Sequence, residues 1–317
     1  MKRARDILPI LVVLVGLLIL LYPTISNFLV EQNATRAVAS YDAAVEDLDE
    51  LEREQMLADA RDYNERLAAS SGANLLESGD GESVQDGETL AYEDLLDLNG
   101  DGMMGYIIIP KLNVELPIYH TVEERVLQSG VGHLPSTSLP VGGPSTHAVL
   151  SGHRGLPSAK LFTDLDRMEE GDQFYIKILG ETLAYEVDGT ETVLPTEVDS
   201  LVIRQGEDLV TLVTCTPYGI NSHRLLVHAH RIPYEPQMEE AIEQVGGFIN
   251  IPLPYLLLII GLLVLALAMG VMALLRRRKR REEDLARLAQ LEQRRRFEEN
   301  ERRRVHGRHA QGHQRRR

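Results

Sequence analysis

The sequence predicts a mainly β domain, a barrel or a sandwich, preceded by a helical extension and held between two apolar segments. Three observations carry this. Between Gly105 and His230, short runs rich in β-branched and apolar residues recur between Gly- and Pro-containing turns, with no internal repeat. Ahead of them, Glu31 to Ala69 is rich in Ala, Glu, Leu and Arg and contains neither Gly nor Pro. Outside both lie two uncharged apolar stretches, Ile7 to Tyr22 and Ile251 to Leu275.

Charge separates the chain into compartments. The 317 residues have a net charge of −15, but that total hides a division. From Tyr22 to Asn250 there are 13 basic and 40 acidic residues; from Arg276 to Arg317 there are 17 basic and 7 acidic. The first apolar stretch follows Lys2, Arg3 and Arg5 and reads as a cleaved signal peptide or a retained anchor. Ala37-Val38-Ala39 lies too far past Tyr22 for an ordinary cleavage site, which favours the anchor. The second stretch exceeds the ~20 residues a bilayer needs, and Arg276 to Arg281 follows at once. Positive charge at the outer end of each span places both termini in the cytoplasm and the acidic middle outside. The basic tail reads as a stop-transfer flank without fixed structure, or as a contact to anionic lipid head groups. Nucleic-acid binding lacks the aromatic interleaving it would use. The chain thus divides into an anchor (1–30), a helical extension with a loop (31–91), a β domain (92–235), a linker (236–250), a span (251–275) and a tail (276–317).

The elements of the outer part follow in order. Apolar residues at Val38, Tyr41, Val45, Leu48, Leu51 and Met56 fall mostly three and four apart, which predicts one amphipathic helix over Glu31–Ala69. Ser70 to Glu88 is interrupted by Gly72, Gly79, Gly81 and Gly87 and reads as a linker or a lid. Strands are predicted from Gly105 toward Pro110, over Leu116–Tyr119 and over Thr146–Ser151. Gln173–Ile178 and Leu183–Val193 form a hairpin across Gly180-Glu181, and Leu209–Val213 and Arg224–His230 complete the set. Val122–Gln128 reads as a helical turn.

The chemistry centres on Thr211 to Arg231. It contains Cys215, the single cysteine, which excludes an internal disulfide and a zinc site built from several thiolates. Cys215 ends one predicted strand, a turn with Pro217, Gly219 and Asn221 follows, and Arg224 starts the next strand. An antiparallel return brings thiol and guanidinium together, where the cation favours thiolate and can donate to an oxyanion. The plain alternative is a small buried hydrophobe. Among seven histidines outside the tail, His153 is the candidate base, because it ends a strand between glycines in Ser151-Gly152-His153-Arg154-Gly155. His120, His133, His147, His223, His228 and His230 rank below it. There is no HExxH pattern, P-loop or GxGxxG after a strand.

Three runs resemble a sortase domain. Gly105-Tyr106-Ile107-Ile108-Ile109-Pro110-Lys111, Leu116-Pro117-Ile118-Tyr119-His120 and Gly130-Val131-Gly132-His133-Leu134-Pro135 are similar to its opening. Ser151 to Phe162 resembles the stretch with the family's histidine, and Thr214 to Arg224 resembles its cysteine-to-arginine segment. Over about Tyr92 to Arg231 the likeness is closest to class C, the pilin-polymerising sortases. That resemblance implies an eight-stranded β-barrel with flanking transmembrane helices and His153, Cys215 and Arg224 as catalytic residues, with no metal or organic cofactor. It implies as partners an LPxTG-bearing pilin or surface protein and a lysine-bearing pilin acceptor, at the outer face of the cell membrane. Class C members usually carry a lid with an Asp-Pro-aromatic motif. No such tripeptide lies between Ala69 and Tyr92, which leaves Leu75 and Leu76 as the candidate apolar plug. Leu134-Pro135-Ser136-Thr137-Ser138 superficially resembles the cleaved signal but precedes no C-terminal span, and reads as a loop. Other readings are a housekeeping-type sortase acting on peptidoglycan, a cysteine peptidase, and a non-enzymatic anchor or adhesin with a structural thiol.

Overall fold

Eight strands form where the apolar runs fall: β1 (Met103–Ile109), β2 (Val114–His120), β3 (Val131–His133), β4 (Thr146–Ser151), β5 (Gln173–Ile178), β6 (Glu181–Val193), β7 (Asp208–Thr216) and β8 (His223–Ile232). They are seen in a computed structural model that describes residues 2–70, 91–243, 245 and 253–314. The strands close into a barrel in the order β1-β2-β3-β4-β7-β8-β6-β5. β2 pairs with β3, and β4 with β7, in parallel; the other pairs are antiparallel. It follows that β1, β4, β6 and β7 run one way and β2, β3, β5 and β8 the other. Closure removes free sheet edges and encloses a core that includes Ile107, Ile118, Leu150, Phe174, Leu212 and Val227.

Local chemistry explains the connections. The β5–β6 hairpin turns on Leu179 (φ 47°) and Gly180 (φ 80°), two positive-φ residues that match the right-handed twist of the strands. β3 was not among the predicted strands. It is three residues long and flanked by glycine, so it carries no alternation to read. Gly132 is required there, since a Cβ would stand 2.3 Å from the Thr121 carbonyl oxygen. The Leu134–Ser138 segment is a loop, as expected. Thr137 and Ser138 are buried, and the Thr137 hydroxyl donates to the Leu134 carbonyl at 2.7 Å.

The helical extension differs from the single helix expected. α1 (Lys2–Asp47) ends before Asp49, and α2 (Glu50–Ser70) starts there. Asp49 caps α2, its carboxylate accepting from the Glu52 amide at 2.9 Å. Leu51, assigned to the buried stripe, is therefore exposed. Both helices are fixed to the barrel by buried polar contacts. The Tyr41 hydroxyl donates to the Met104 carbonyl (2.8 Å) and accepts from the Leu179 amide (2.9 Å). The Asn64 amide satisfies both backbone groups of Leu139, at 2.7 and 3.0 Å. The expected linker contains a further helix, α4 (Gln237–Glu243), whose Ile242 packs beside Tyr41 and Tyr175. Leu75 and Leu76 lie outside the described residues.

The chain divides into two compact units, Leu18–Asn250 and a second comprising Met1–Leu17 and Ile251–Arg317. The second contains α5 (Leu253–Gln314). Among the described residues one helix is long and apolar enough to cross a membrane, Ile259–Arg296, whose apolar window has a mean hydropathy of 2.5. The tail, expected to lack fixed structure, continues α5 to Gln314. Its Arg, Glu, Leu and Gln content is strongly helix-favouring.

His133 is fully buried in this framework. Its Nε2–H donates to the Ser138 carbonyl (2.8 Å), and its Nδ1 faces the Tyr92 hydroxyl (2.7 Å). Burial holds its pKa down at about 4. The unfolded chain, with an ordinary histidine near 6.5, therefore binds the extra proton first. Stability from this group is complete above pH ~6.5 and falls as pH drops toward 4, by about 3 kcal/mol in all. Denaturant titrations at pH 7 and pH 4.5 should show that loss. His133→Gln, which keeps one donor and one acceptor without a titrating ring, should flatten the slope.

Candidate active site

β7 alternates between core and outer face. Val210 and Leu212 point into the barrel core, so Leu209, Thr211, Val213 and Cys215 line the outer side. On β8, Val227 and Ala229 point inward, which leaves Arg224, Leu226, His228 and His230 outside. Register then sets the neighbours. Cys215 pairs directly with Arg224, and Thr216 with His223. Directly opposed residues of an antiparallel pair have Cβ atoms roughly 5 Å apart.

The histidine arrives from the other side of β7. β4 runs parallel to it, with Ser151 level with Val213. The Gly152 amide continues the ladder to the Val213 carbonyl at 3.0 Å, and the Thr214 hydroxyl closes on the Gly152 carbonyl at 2.7 Å. Two residues beyond the Ser151–Val213 pair are His153 and Cys215. The segment after β4 that carries His153 therefore lies on one side of Cys215 and Arg224 lies on the other, at one rim of the barrel. All three are partly exposed. The two-strand register places Cys215 and Arg224 opposite one another, as the antiparallel return predicts.

The loop after His153 is braced from beneath. The Phe162 amide donates to the His153 carbonyl (3.1 Å), and the Gly155 amide to the Thr163 hydroxyl (3.2 Å). Gly152 has no room for a side chain, since a Cβ would meet the Phe162 ring at 2.6 Å. Arg154, only 10% exposed, pairs with Asp166 and donates from Nη1 to the Thr216 hydroxyl at 3.2 Å. It joins the histidine loop to the residue after the cysteine.

Glu124, on the short helix α3 (Glu124–Leu127), stands 3.3 Å from His153 Nε2. Its carboxyl is held below the usual range, first by the Gln128 amide and then by the His153 ring. No carboxylate among the described residues pairs with Arg224, whose Nη1 donates to the backbone carbonyls of Asn221 (3.4 Å) and His223 (3.2 Å). The guanidinium is thus oriented without being neutralised. Glu124 and Arg154 were not singled out from the sequence. Arg154 lies in the same Ser-Gly-His-Arg-Gly run as the histidine, but Glu124 sits in an ordinary charged turn.

The other histidines are engaged structurally. His120 contacts the carbonyls of Gly102 and Leu95, both at 2.9 Å. His147 donates from Nδ1 to the Val202 carbonyl (3.0 Å), and its Nε2 meets the Thr211 hydroxyl (2.7 Å). Thr211 in turn meets His228 Nδ1 at 2.9 Å, and His228 Nε2 faces Glu191 at 3.4 Å. His230 bonds Asp188 at 2.7 Å and His223 bonds Ser222 at 2.9 Å. A cleft of about 770 Å³ opens beside His228, His230, Asp188, Arg204 and Asp208. It lies toward the start of β7, six residues or roughly 20 Å from Cys215 along the strand, and is not lined by Cys215.

The chain matches the sortase domain family over residues 107–232. Among curated proteins it is 31% identical over 125 residues to sortase A of Bacillus anthracis, covering 39% of this chain and 58% of that one. It is 28% identical over 131 residues to sortase D of Bacillus subtilis, covering 40% and 63%. The chain therefore spans less than two thirds of these relatives' length. Among solved structures it is similar to sortase C1 of Streptococcus agalactiae, with 44% identity, 63% of this chain and 100% of that one covered, and a TM-score of 0.56. It is also similar to a Streptococcus pneumoniae sortase C described in terms of catalysis and pilin substrate specificity, with 41% identity, 63% and 97% covered, and a TM-score of 0.54.

Gly152→Ala should destabilise the fold by about 1–3 kcal/mol through overpacking on the Phe162 ring. Phe162→Leu in the same chain should recover part of the loss. A double-mutant cycle from urea titrations measures that coupling, and additive costs would mean the ring is not what excludes the methyl.

Proposed function

The chain belongs to the sortase family, and on that premise we propose that it is a membrane-held cysteine transpeptidase that polymerises pilin subunits. The observation that supports this best is Cys215 opposite Arg224 in the β7–β8 pair, with His153 two residues past the Ser151–Val213 pair on the other side of β7. In the proposed reaction Cys215 Sγ attacks the threonine carbonyl of an LPxTG-type signal. The C–S bond forms, the C–N bond to glycine breaks, and His153 gives its proton to the departing amine. The thioacyl-enzyme is then attacked by a lysine amine of another subunit. A new C–N bond replaces C–S, the sulfur leaves as thiolate, and His153 takes the proton from the incoming amine. Arg224 stabilises the oxyanion of each tetrahedral intermediate, a role that suits a guanidinium unpaired with any described carboxylate. No step calls for a metal or organic cofactor.

The choice of a pilin lysine as acceptor, over peptidoglycan, is favoured by the likeness to the two sortase C structures. The apolar stretch at 7–22 is taken as a retained anchor beside the C-terminal span, with 92–235 as the catalytic domain on the outer side and both termini in the cytoplasm. Substrate and enzyme, each held to one bilayer, then meet at raised effective concentration.

Mass spectrometry of the protein mixed with a sorting-signal peptide should find an acyl adduct on Cys215, absent in Cys215→Ala. With saturating lysine-bearing acceptor the product should be the transpeptidation conjugate; hydrolysis alone would favour a peptidase. Arg224→Lys keeps the charge but loses the planar fork, and should lower kcat by about 10²–10³-fold with the adduct still formed slowly.

A further inference from the structure

The barrel end that bears Cys215 carries exposed apolar side chains, and the N-terminal apolar run reaches the same end. On α1, Leu18, Tyr22, Ile25 and Leu29 recur at steps of four, three and four, so they form one stripe, and each is between 49 and 64% exposed. At the same level the opposite side of the helix is attached to the barrel. Asn27 Oδ1 of the side chain accepts from the Lys160 backbone amide at 2.6 Å, and Val30 packs on the barrel core. Lys160 Nζ in turn donates to the Leu112 carbonyl at 2.8 Å, in the turn after β1.

Strand direction identifies this end. β1, β4 and β7 all run toward it. The turn after β1, the His153–Thr163 loop after β4 and the Pro217–Ser222 turn after β7 are therefore neighbours. Tyr218, in the last of these, lies against Gly155, its ring 3.1 Å from where a Cβ would stand. Tyr218 and Ile220 are nevertheless 61 and 72% exposed.

Length supplies the partner. Residues 7–30 contain no charged side chain, a run of 24 residues. As helix it spans about 36 Å, against a hydrocarbon core of roughly 30 Å. An anchor that fills the core therefore still has apolar residues at the level of Asn27, inside the head-group layer. Tyrosine and isolated aliphatic side chains are the residue types that settle in that layer.

We propose that the catalytic end of the barrel rests on the outer leaflet of the bilayer, with Ile25 and Leu29 of α1 and Tyr218 and Ile220 of the β7–β8 turn inserted at the lipid interface. This rests on the retained-anchor reading above. It would hold the Cys215 rim at the height where a membrane-tethered donor emerges.

The chain has no tryptophan, so single replacements report cleanly. Full-length Leu18→Trp, Ile220→Trp and Leu51→Trp would each be reconstituted in phosphatidylcholine–phosphatidylglycerol vesicles, with and without lipids brominated high on the acyl chain. Leu18→Trp and Ile220→Trp should each lose roughly half their emission to bromine, and Leu51→Trp, beyond the far end of α1, almost none. Quenching at position 18 without quenching at 220 overturns the proposal and leaves the anchor standing. No quenching at 18 overturns the anchor reading and the proposal together. Ile220→Ser adds a functional arm. Turnover of a soluble signal peptide in detergent should stay within about two-fold, while transfer from a vesicle-tethered donor should fall severalfold. A raised KM for the soluble peptide would instead make Ile220 a substrate contact and overturn the proposal.

Discussion

The site depends on one register: β7 paired in parallel with β4 on one side and antiparallel with β8 on the other. Sheet pairing has a side-chain period of two, so a slip of one residue would turn Cys215 into the core and bring Thr214 or Thr216 to the surface. Barrel closure resists such a slip because every strand is paired on both edges. The Thr214 hydroxyl, bonded to the Gly152 carbonyl, ties the strand end to the loop that carries His153. Cys215 and Arg224 thus sit on paired strands, with only the turn between Pro217 and Ser222 joining them, and His153 follows the paired end of β4.

Much of this was legible because the controlling features are local in sequence. Runs such as Thr211-Leu212-Val213 specify buried strand, and a turn of Pro, Gly and Asn between Cys215 and Arg224 specifies an antiparallel return. What was not legible depends on contacts distant in sequence. β3 exists because Gly132 lets the chain pass against the end of β2, and no period in three residues announces that. The break at Asp49 did leave a signal, an Asp three residues before a Glu. Helical composition on both sides concealed it.

Histidine shows the limit most clearly. Seven imidazoles outside the tail have equivalent standing as residue types, and burial and partners separate them. His120, His133, His147 and His228 each engage both ring nitrogens, with partners on other segments of the chain. His153, His223 and His230 each engage one nitrogen, with Glu124, Ser222 and Asp188, and position then separates these three: His153 lies two residues past the Ser151–Val213 pair, level with Cys215, while His223 is opposite Thr216 and His230 opposite Leu209. A proton carrier needs a nitrogen that can both receive and release. That condition is a property of the folded neighbourhood and cannot be counted along the chain.

The same accounting explains why the cleft near His228 is structural. His147 Nδ1–H donates to the Val202 carbonyl, burial lowers the pKa of its ring, and its Nε2 meets the Thr211 hydroxyl. Thr211 Oγ1 also meets His228 Nδ1, and His228 Nε2 faces the Glu191 carboxylate. The chain of bonds joins β4, β7, β8 and β6 to Val202, beyond the end of β6. The polar groups at the start of β7 therefore serve to lock the same four strands that, at their other end, carry the thiol and its neighbours. Cohesion at one rim and the chemistry proposed for the other are two uses of a single set of paired strands.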